Sequence, residues 1–282
     1  MATATVRGLS MNYTEAGAGA PVVLLHGFPF SHLMWRGQVE ALRRTHRVIT
    51  PDLRGHGATS VTSEAATMEE MAQDVAALLD QLEVERATFG ALSMGGYVTL
   101  AFYQLFPQRV RALILADTRP HADTDEARAN RETMAQRALA EGMAAIAETM
   151  LPKLLAPGTL NDRPEIAARV REMILNTQPE GAAAALRGMA RRRDQTSLLT
   201  EILAPTLIIV GSEDALTPPA DSELMHREIR GSQLVVIEGA GHVSNIERPT
   251  EFNDALTKFL HALEVRQEAG AGGRRQGRGD SG

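Results

Sequence analysis

The sequence predicts an α/β fold, with a mostly parallel central sheet, helices on both faces and an inserted helical segment. Three observations predict it. Short apolar runs recur at 22–25 (VVLL), 47–50 (RVIT), 87–89 (ATF), 112–116 (ALILA), 206–210 (TLIIV) and 234–237 (LVVI), and they read as strands buried on both faces. Helix-period segments lie between several of these runs, which is the alternation of an open parallel sheet. The alternation then breaks over residues 121–198, where helix formers such as ARANRETMAQRALAEGMAAIAETMLPKLL run without a convincing strand.

Taken in order, the clearest helix starts at Thr67. Thr67 with Glu70 makes a capping box, and Met71, Val75, Leu78, Leu79 and Leu82 fall on one face. The expected organisation is a core of residues 1–120 and 199–265, with residues 121–198 as a helical cap. That cap carries 11 acidic and 11 basic residues, so as a whole it is no trap for a strongly charged ligand. Residues 266–282 are Gly and Arg rich with almost nothing apolar, and a disordered tail is expected there. The tripeptide Arg278-Gly279-Asp280 within it resembles an adhesion motif, and chance in a solvated tail explains it.

Composition narrows the chemistry. A chain of 282 residues can bury a large core, and 44% hydrophobic against 23% charged residues describes a globular protein. The net charge of −6 gives no pull toward nucleic acid. Cysteine is absent, which excludes disulfides, cysteine nucleophiles, iron–sulfur clusters and thiolate zinc sites. The opening MATATVRGLSMNYTEAG lacks a basic start followed by an apolar run, and no stretch approaches the roughly 18 apolar residues of a membrane span. A cytoplasmic protein with no membrane partner is expected.

Ser, Asp, Glu, His and backbone groups remain for catalysis. Ala91-Leu92-Ser93-Met94-Gly95-Gly96 follows a predicted strand and precedes the helical stretch YVTLAFYQLF. A sharp strand-to-helix turn exposes the Ser93 hydroxyl and needs small residues two before and two after it, which Ala91 and Gly95 supply. The LLHGFP element after the first buried strand looks like an oxyanion loop, with the N–H groups of Phe28 and Met94 as candidate donors; Gly27 lets backbone approach substrate, and Pro29 has no N–H. His26 and His56 fit structural roles. His32, His46, His121, His226 and His261 fit solvated surface. His242, in the loop GAGHVSN after the last strand, is the candidate general base. Asp214, after TLIIV, is the best candidate to orient it, with Glu213 and Asp117 as competitors. Ser93, Asp214 and His242 are 121 and 28 residues apart, in the chain order of one hydrolase lineage.

With these motifs in place, the sequence resembles the α/β-hydrolase superfamily from about residue 10 to residue 263. LLHGFP, PDLRGHGAT, ALSMGGYV, LILADTR, VGSEDALTPP and GAGHVSNIERP occur in the family's order, each at a predicted strand end. Within the superfamily the chain looks like small bacterial carboxylesterases and the similar 3-oxoadipate enol-lactonases. The resemblance implies a serine carboxylesterase acting on a small-molecule ester or lactone through an acyl-enzyme, with no cofactor and no metal. Gly27, Phe30, Trp35, Tyr97, Met143, Ile146 and Leu151 are candidate substrate contacts, with Phe28, Met34, Met150 and Leu154 beside them. Alternatives are an enol-lactonase, which needs a cation such as Arg119 for the substrate carboxylate, a cofactor-free perhydrolase or haloperoxidase, and a ligand-binding receptor without turnover.

Overall fold

The computed structural model describes residues 1–61 and 65–276. Its strands are β1 (Ala2–Val6), β2 (Leu9–Ala16), β3 (Ala20–Leu25), β4 (His46–Pro51), β5 (Ala87–Leu92), β6 (Val110–Ala116), β7 (Thr206–Gly211) and β8 (Gln233–Ile237). Among the described residues they form one sheet in the order β1-β2-β4-β3-β5-β6-β7-β8. The pairs β1–β2 and β2–β4 are antiparallel, and every pair from β4 to β8 is parallel. Every predicted strand is present. Sequence reading missed the hairpin of β1 and β2, whose signal is faint: Ala4, Val6, Leu9 and Met11 alternate inward across a turn at Arg7 and Gly8, both with positive φ. Strand β8 also departs from expectation. It is the edge strand, and Val236 stays 41% exposed, so it is not buried on both faces.

Helices α1 (Arg36–Leu42), α2 (Met68–Gln81) and α3 (Met94–Leu105) follow β3, β4 and β5. The capping box at Thr67 forms as expected, with both reciprocal bonds to Glu70 present. Met71, Val75, Leu78 and Leu79 are buried against the sheet, because 3.6 residues per turn put them on one stripe.

Between β6 and β7 the chain leaves the sheet for α4 (Asp125–Glu141), α5 (Met143–Leu154), α6 (Pro157–Asp162), α7 (Pro164–Leu175) and α8 (Pro179–Ala190). Proline at the first position of α6, α7 and α8 sets each start where no N–H is needed. Helix α8 is almost entirely small and buried, and Ala66 N–H donates to Ala184 O, which fixes the insertion to the core near the start of α2. After β7 come α9 (Pro219–Glu228), α10 (Ser244–Glu247) and α11 (Pro249–Gln276).

Residues 266–276, expected to belong to a disordered tail, are instead the end of a helix. Helix α11 continues through Gln276, since residues 264–269 (EVRQEA) hold good helix formers and no breaker. Residues 277–282, with the Arg278-Gly279-Asp280 tripeptide, lie outside the described residues. Among the described residues no helix is long and apolar enough to cross a membrane.

Candidate active site

Strand order decides where the site sits. From β3 the chain passes to β4 on one side and then crosses back to β5 on the other, so the carboxyl ends of β3 and β5 flank the crevice where an open α/β sheet places its ligands. Ser93 stands at that point, between β5 and α3. Its backbone is at φ 54° and ψ −115°, a strained conformation for a residue with a side chain. Three contacts hold it there: Ser93 N–H donates to Ala116 O (3.0 Å), and Ser93 O accepts from Gly96 N–H (2.8 Å) and from the Thr118 hydroxyl (2.8 Å). A Cβ at Gly95 would lie 2.3 Å from Leu25 O, so the turn closes only with glycine there. The methyl of Ala91 is accommodated, fully buried in β5.

His242 Nε2 lies 2.8 Å from Ser93 Oγ, and its Nδ1 lies 2.8 and 2.9 Å from the two Asp214 oxygens. A carboxylate only accepts, so Nδ1 carries the proton and Nε2 is free to accept from the serine hydroxyl. Asp214 is further fixed by the N–H groups of Leu216 and Thr217 and by the Thr217 hydroxyl, at 2.8, 3.0 and 2.6 Å. Burial alone would lower the His242 pKa, but the Asp214 charge and hydrogen bond outweigh it and leave the value above the ordinary 6.5. Burial also opposes ionisation of Asp214, and the same His242 contact overcomes it, holding that carboxyl below its usual range.

The two competing carboxyls stand elsewhere. Glu213 is exposed. Asp117 is fully buried at the end of β6, where its oxygens accept from Gly211 N–H (2.9 Å) and the Ser244 hydroxyl (2.5 Å). Burial first, and then the Asp214 charge, push its pKa well above the ordinary carboxylate value.

Phe28 follows β3 and Met94 opens α3, on segments that lie against each other, since β3 pairs with β5 and a Cβ at Gly27 would lie 3.4 Å from Ser93 Cβ. Among the described residues neither amide donates to a turn or loop carbonyl, whereas Gly27 N–H is taken by Met34 Sδ at 3.2 Å.

A cavity of about 150 Å³ opens onto Ser93 and His242. Of the candidate substrate contacts only Tyr97 lines it, joined by Phe28 and Met150. The other six do not line it. Phe30 and Trp35 are core, with Trp35 tilted against Phe252; Gly27 sits behind the turn, where a Cβ would lie 3.4 Å from Ser93 Cβ. Met143 and Ile146 are buried, and Leu151 packs on the same core. Most apolar positions of α5 serve helix packing, and only the turn bearing Met150 faces the cavity. The wall that sequence reading missed comes from α4 (Asn130, Arg131, Met134), α8 (Leu186, Met189) and the Asp214 loop (Leu216, Thr217). No signal in the sequence marks these faces, because which side of a helix meets a cavity depends on its neighbours.

One part of that wall is charged. Asp123 is buried and holds the guanidiniums of Arg119, Arg131 and Arg192, the last at 2.7 Å; Arg119 and Arg131 line the cavity, and Arg192 stacks on Tyr97, 4.4 Å from the ring centroid. Three guanidiniums meet one carboxylate here, and two of them, Arg119 and Arg131, reach the cavity wall.

Two expectations for histidine also change. His46 is buried at the head of β4 with Nε2 3.2 Å from Glu264, and the His32 ring is 2.7 Å from Asp52, so neither is solvated surface. His26 and His56 are both fully buried. His26 Nε2 accepts Leu53 N–H at 2.9 Å, while no partner for His56 Nε2 is found among the described residues.

Comparison with known proteins agrees with this architecture. Residues 20–249 match the family described as alpha/beta hydrolase fold. The chain is 33% identical over 260 residues to 3-oxoadipate enol-lactonase 2 of Acinetobacter baylyi, covering 92% of this chain and 96% of that protein. Among solved structures it is similar to a thermophilic esterase from Thermogutta terrifontis with malate bound (42% identity, TM-score 0.90, covering 93% of this chain and 98% of the other). It is also similar to the enol-lactonase from Burkholderia xenovorans (30% identity, TM-score 0.86, 92% and 100%). The chain belongs to the alpha/beta hydrolase family.

Proposed function

We propose that this hydrolase is a serine carboxylesterase acting on short-chain esters. The observation that carries the reading is the continuous hydrogen-bonded path from Ser93 Oγ through His242 to Asp214 at the mouth of the cavity. In the first step His242 Nε2 removes the Ser93 proton as Oγ attacks the ester carbonyl. The N–H groups of Phe28 and Met94 take the oxyanion. As the tetrahedral intermediate collapses, the imidazolium returns the proton to the leaving alkoxide, and an acyl-serine remains. A water deprotonated by the same His242 attacks the acyl carbonyl, and as this second tetrahedral intermediate collapses the acid leaves and the imidazolium returns the proton to Ser93 Oγ.

Cavity size supports a short acyl group. A dry cavity of about 150 Å³ accommodates a six-carbon ring, and this one has about that volume. The test is Ser93→Ala on 4-nitrophenyl butyrate, which is expected to lower kcat/KM by at least about 10³-fold with an unchanged thermal midpoint. Activity above a tenth of wild type would remove Ser93 from the nucleophile's role.

A second reading, a lactonase for a carboxylated lactone, is favoured by the cavity-facing Arg119 and Arg131. It is separated by comparing a neutral lactone with one bearing a carboxylate. A kcat/KM advantage for the anion that collapses in Arg119→Met would put the lactonase first.

A further inference from the structure

The loop that carries His242 is bonded to the helical insertion as well as to the core. The N–H groups of His242 and Val243 both donate to Leu154 O, the end of α5, at 2.9 and 3.3 Å. Glu247, at the end of α10, is 1% exposed. Its two oxygens serve different segments: Oε1 accepts Gly241 N–H at 2.7 Å, and Oε2 accepts Ala156 N–H at 2.9 Å. One side chain thus ties the residue before His242 to the link between α5 and α6. The two backbones are in direct apposition there, since a Cβ at Gly241 would lie 2.6 Å from Ala156 N and 2.8 Å from Leu155 C. The carbonyl of Glu247 itself accepts from Arg163 Nη1 at 2.6 Å, a third tie to the insertion.

We propose that Glu247 is a positioning residue for the general base, pinning the His242 loop to residues 154–156 so that the Nε2–Oγ contact depends on the insertion. The proposal rests on reading His242 as that base. Its physical basis is that both N–H groups are buried with Glu247 as their acceptor, so neither segment can move away without stranding a donor. Glutamine at 247 keeps one acceptor but turns an NH2 group toward the other N–H, donor against donor. Either Gly241 or Ala156 must then retreat, and a displacement of about 1 Å in a reacting group can cost about 10²-fold in rate.

The test is Glu247→Gln assayed on 4-nitrophenyl acetate. Expected are a kcat lowered by about 10- to 100-fold and a KM nearly unchanged, because Glu247 is not on the cavity wall. The acid limb of kcat/KM should also move to lower pH as His242 drifts from Asp214. A residue that only stabilised the fold would lower the thermal midpoint and leave kcat per folded molecule and the limb where they were, and that result overturns the proposal. Ala156→Pro attacks the same tie from the other side: Ala156 has φ −59° and Leu155 is extended, so φ and ψ there suit proline, whose ring puts Cδ where the N–H faced Glu247. It should lower kcat in the same way, and wild-type kcat in that variant overturns the proposal even where Glu247→Gln does not fold. His242→Asn, run alongside, separates the two layers. If it remains active, the base is misassigned; if it is inactive while Glu247→Gln keeps wild-type kcat, only the positioning role fails.

Discussion

Asp117 and Asp214 are both buried carboxyls just past strand ends, yet their surroundings drive them in opposite directions. Asp214 faces the imidazole and is held ionised; Asp117 faces Gly211 N–H and the Ser244 hydroxyl, and burial together with the Asp214 charge favours its neutral form. Asparagine is therefore close to an isostere of Asp117 and a poor substitute for Asp214, where its NH2 would meet Nδ1–H or force the other tautomer. Asp214→Asn is expected to cost about 10³- to 10⁴-fold in kcat, with Asp117→Asn retaining most activity; a larger loss at Asp117 would reverse the assignment of the acid. The pH profile belongs to the same scale. In the proposed mechanism His242 must be neutral to accept the serine proton, so the rate rises as pH climbs through its folded-state pKa. Because Asp214 raises that value, the limb should lie above the ordinary 6.5 rather than at it. A limb clearly below 6.5 in a pH series of kcat/KM would mean that Asp214 does not face the base in solution.

The helices of the insertion act as elements through the faces they turn to the cavity. Helix α5 contributes Met150, α4 contributes Met134, and α8 contributes Leu186 and Met189, so the roof is mainly unbranched and adaptable side chains. Each methylene added to an acyl chain gains at most about 0.8 kcal/mol of burial, until the roof stops it. On a 4-nitrophenyl ester series kcat/KM should peak between acetate and roughly hexanoate, a span set by the handful of carbons that such a cavity holds. Met150→Ala should shift the peak to longer chains by deepening the cavity. A wild-type maximum at long-chain esters, or a peak unmoved by Met150→Ala, would show that these helices do not set the limit.

At the scale of the whole molecule, the buried histidines under the site link its stability to pH. Burial lowers the His26 pKa to about 4 and the His56 pKa to about 3, against 6.5 for the free side chain. As pH falls from 6.5 toward 4 the unfolded chain takes up protons that the folded protein refuses, so stability declines across that window. For His26 the loss reaches about 3 kcal/mol. His26 also accepts Leu53 N–H at Nε2, an acceptor that protonation would remove. His26→Asn should therefore reduce the protons taken up on unfolding by about one between pH 4 and 6.5, read as a shallower dependence of unfolding free energy on pH in urea titrations. Equal slopes in the two proteins would place the acid sensitivity elsewhere.

What the sequence determined by itself is local in origin. Buried strands announce themselves as β-branched runs, the Thr67 cap as a spacing of three residues, and the Ser93 turn by the small residues its closure demands, so the parallel sheet, α2 and the trio Ser93, Asp214 and His242 were legible. The β1–β2 hairpin was not, since its inward alternation is carried by Ala4, Val6, Leu9 and Met11, of which only Val6 is β-branched. Tertiary structure alone decided the cavity wall. Met143, Ile146, Phe30 and Trp35 have the same apolar character as Met150 and Leu186, and only packing determines which of them meets a void. It also decided which cations reach that wall, because Arg119 and Arg131 come together on Asp123 from a loop and from α4, and the role proposed for Glu247, whose partners Gly241 and Ala156 are brought together by the fold. A sequence records the periodicity of each segment, whereas a contact between segments exists only once both have been placed.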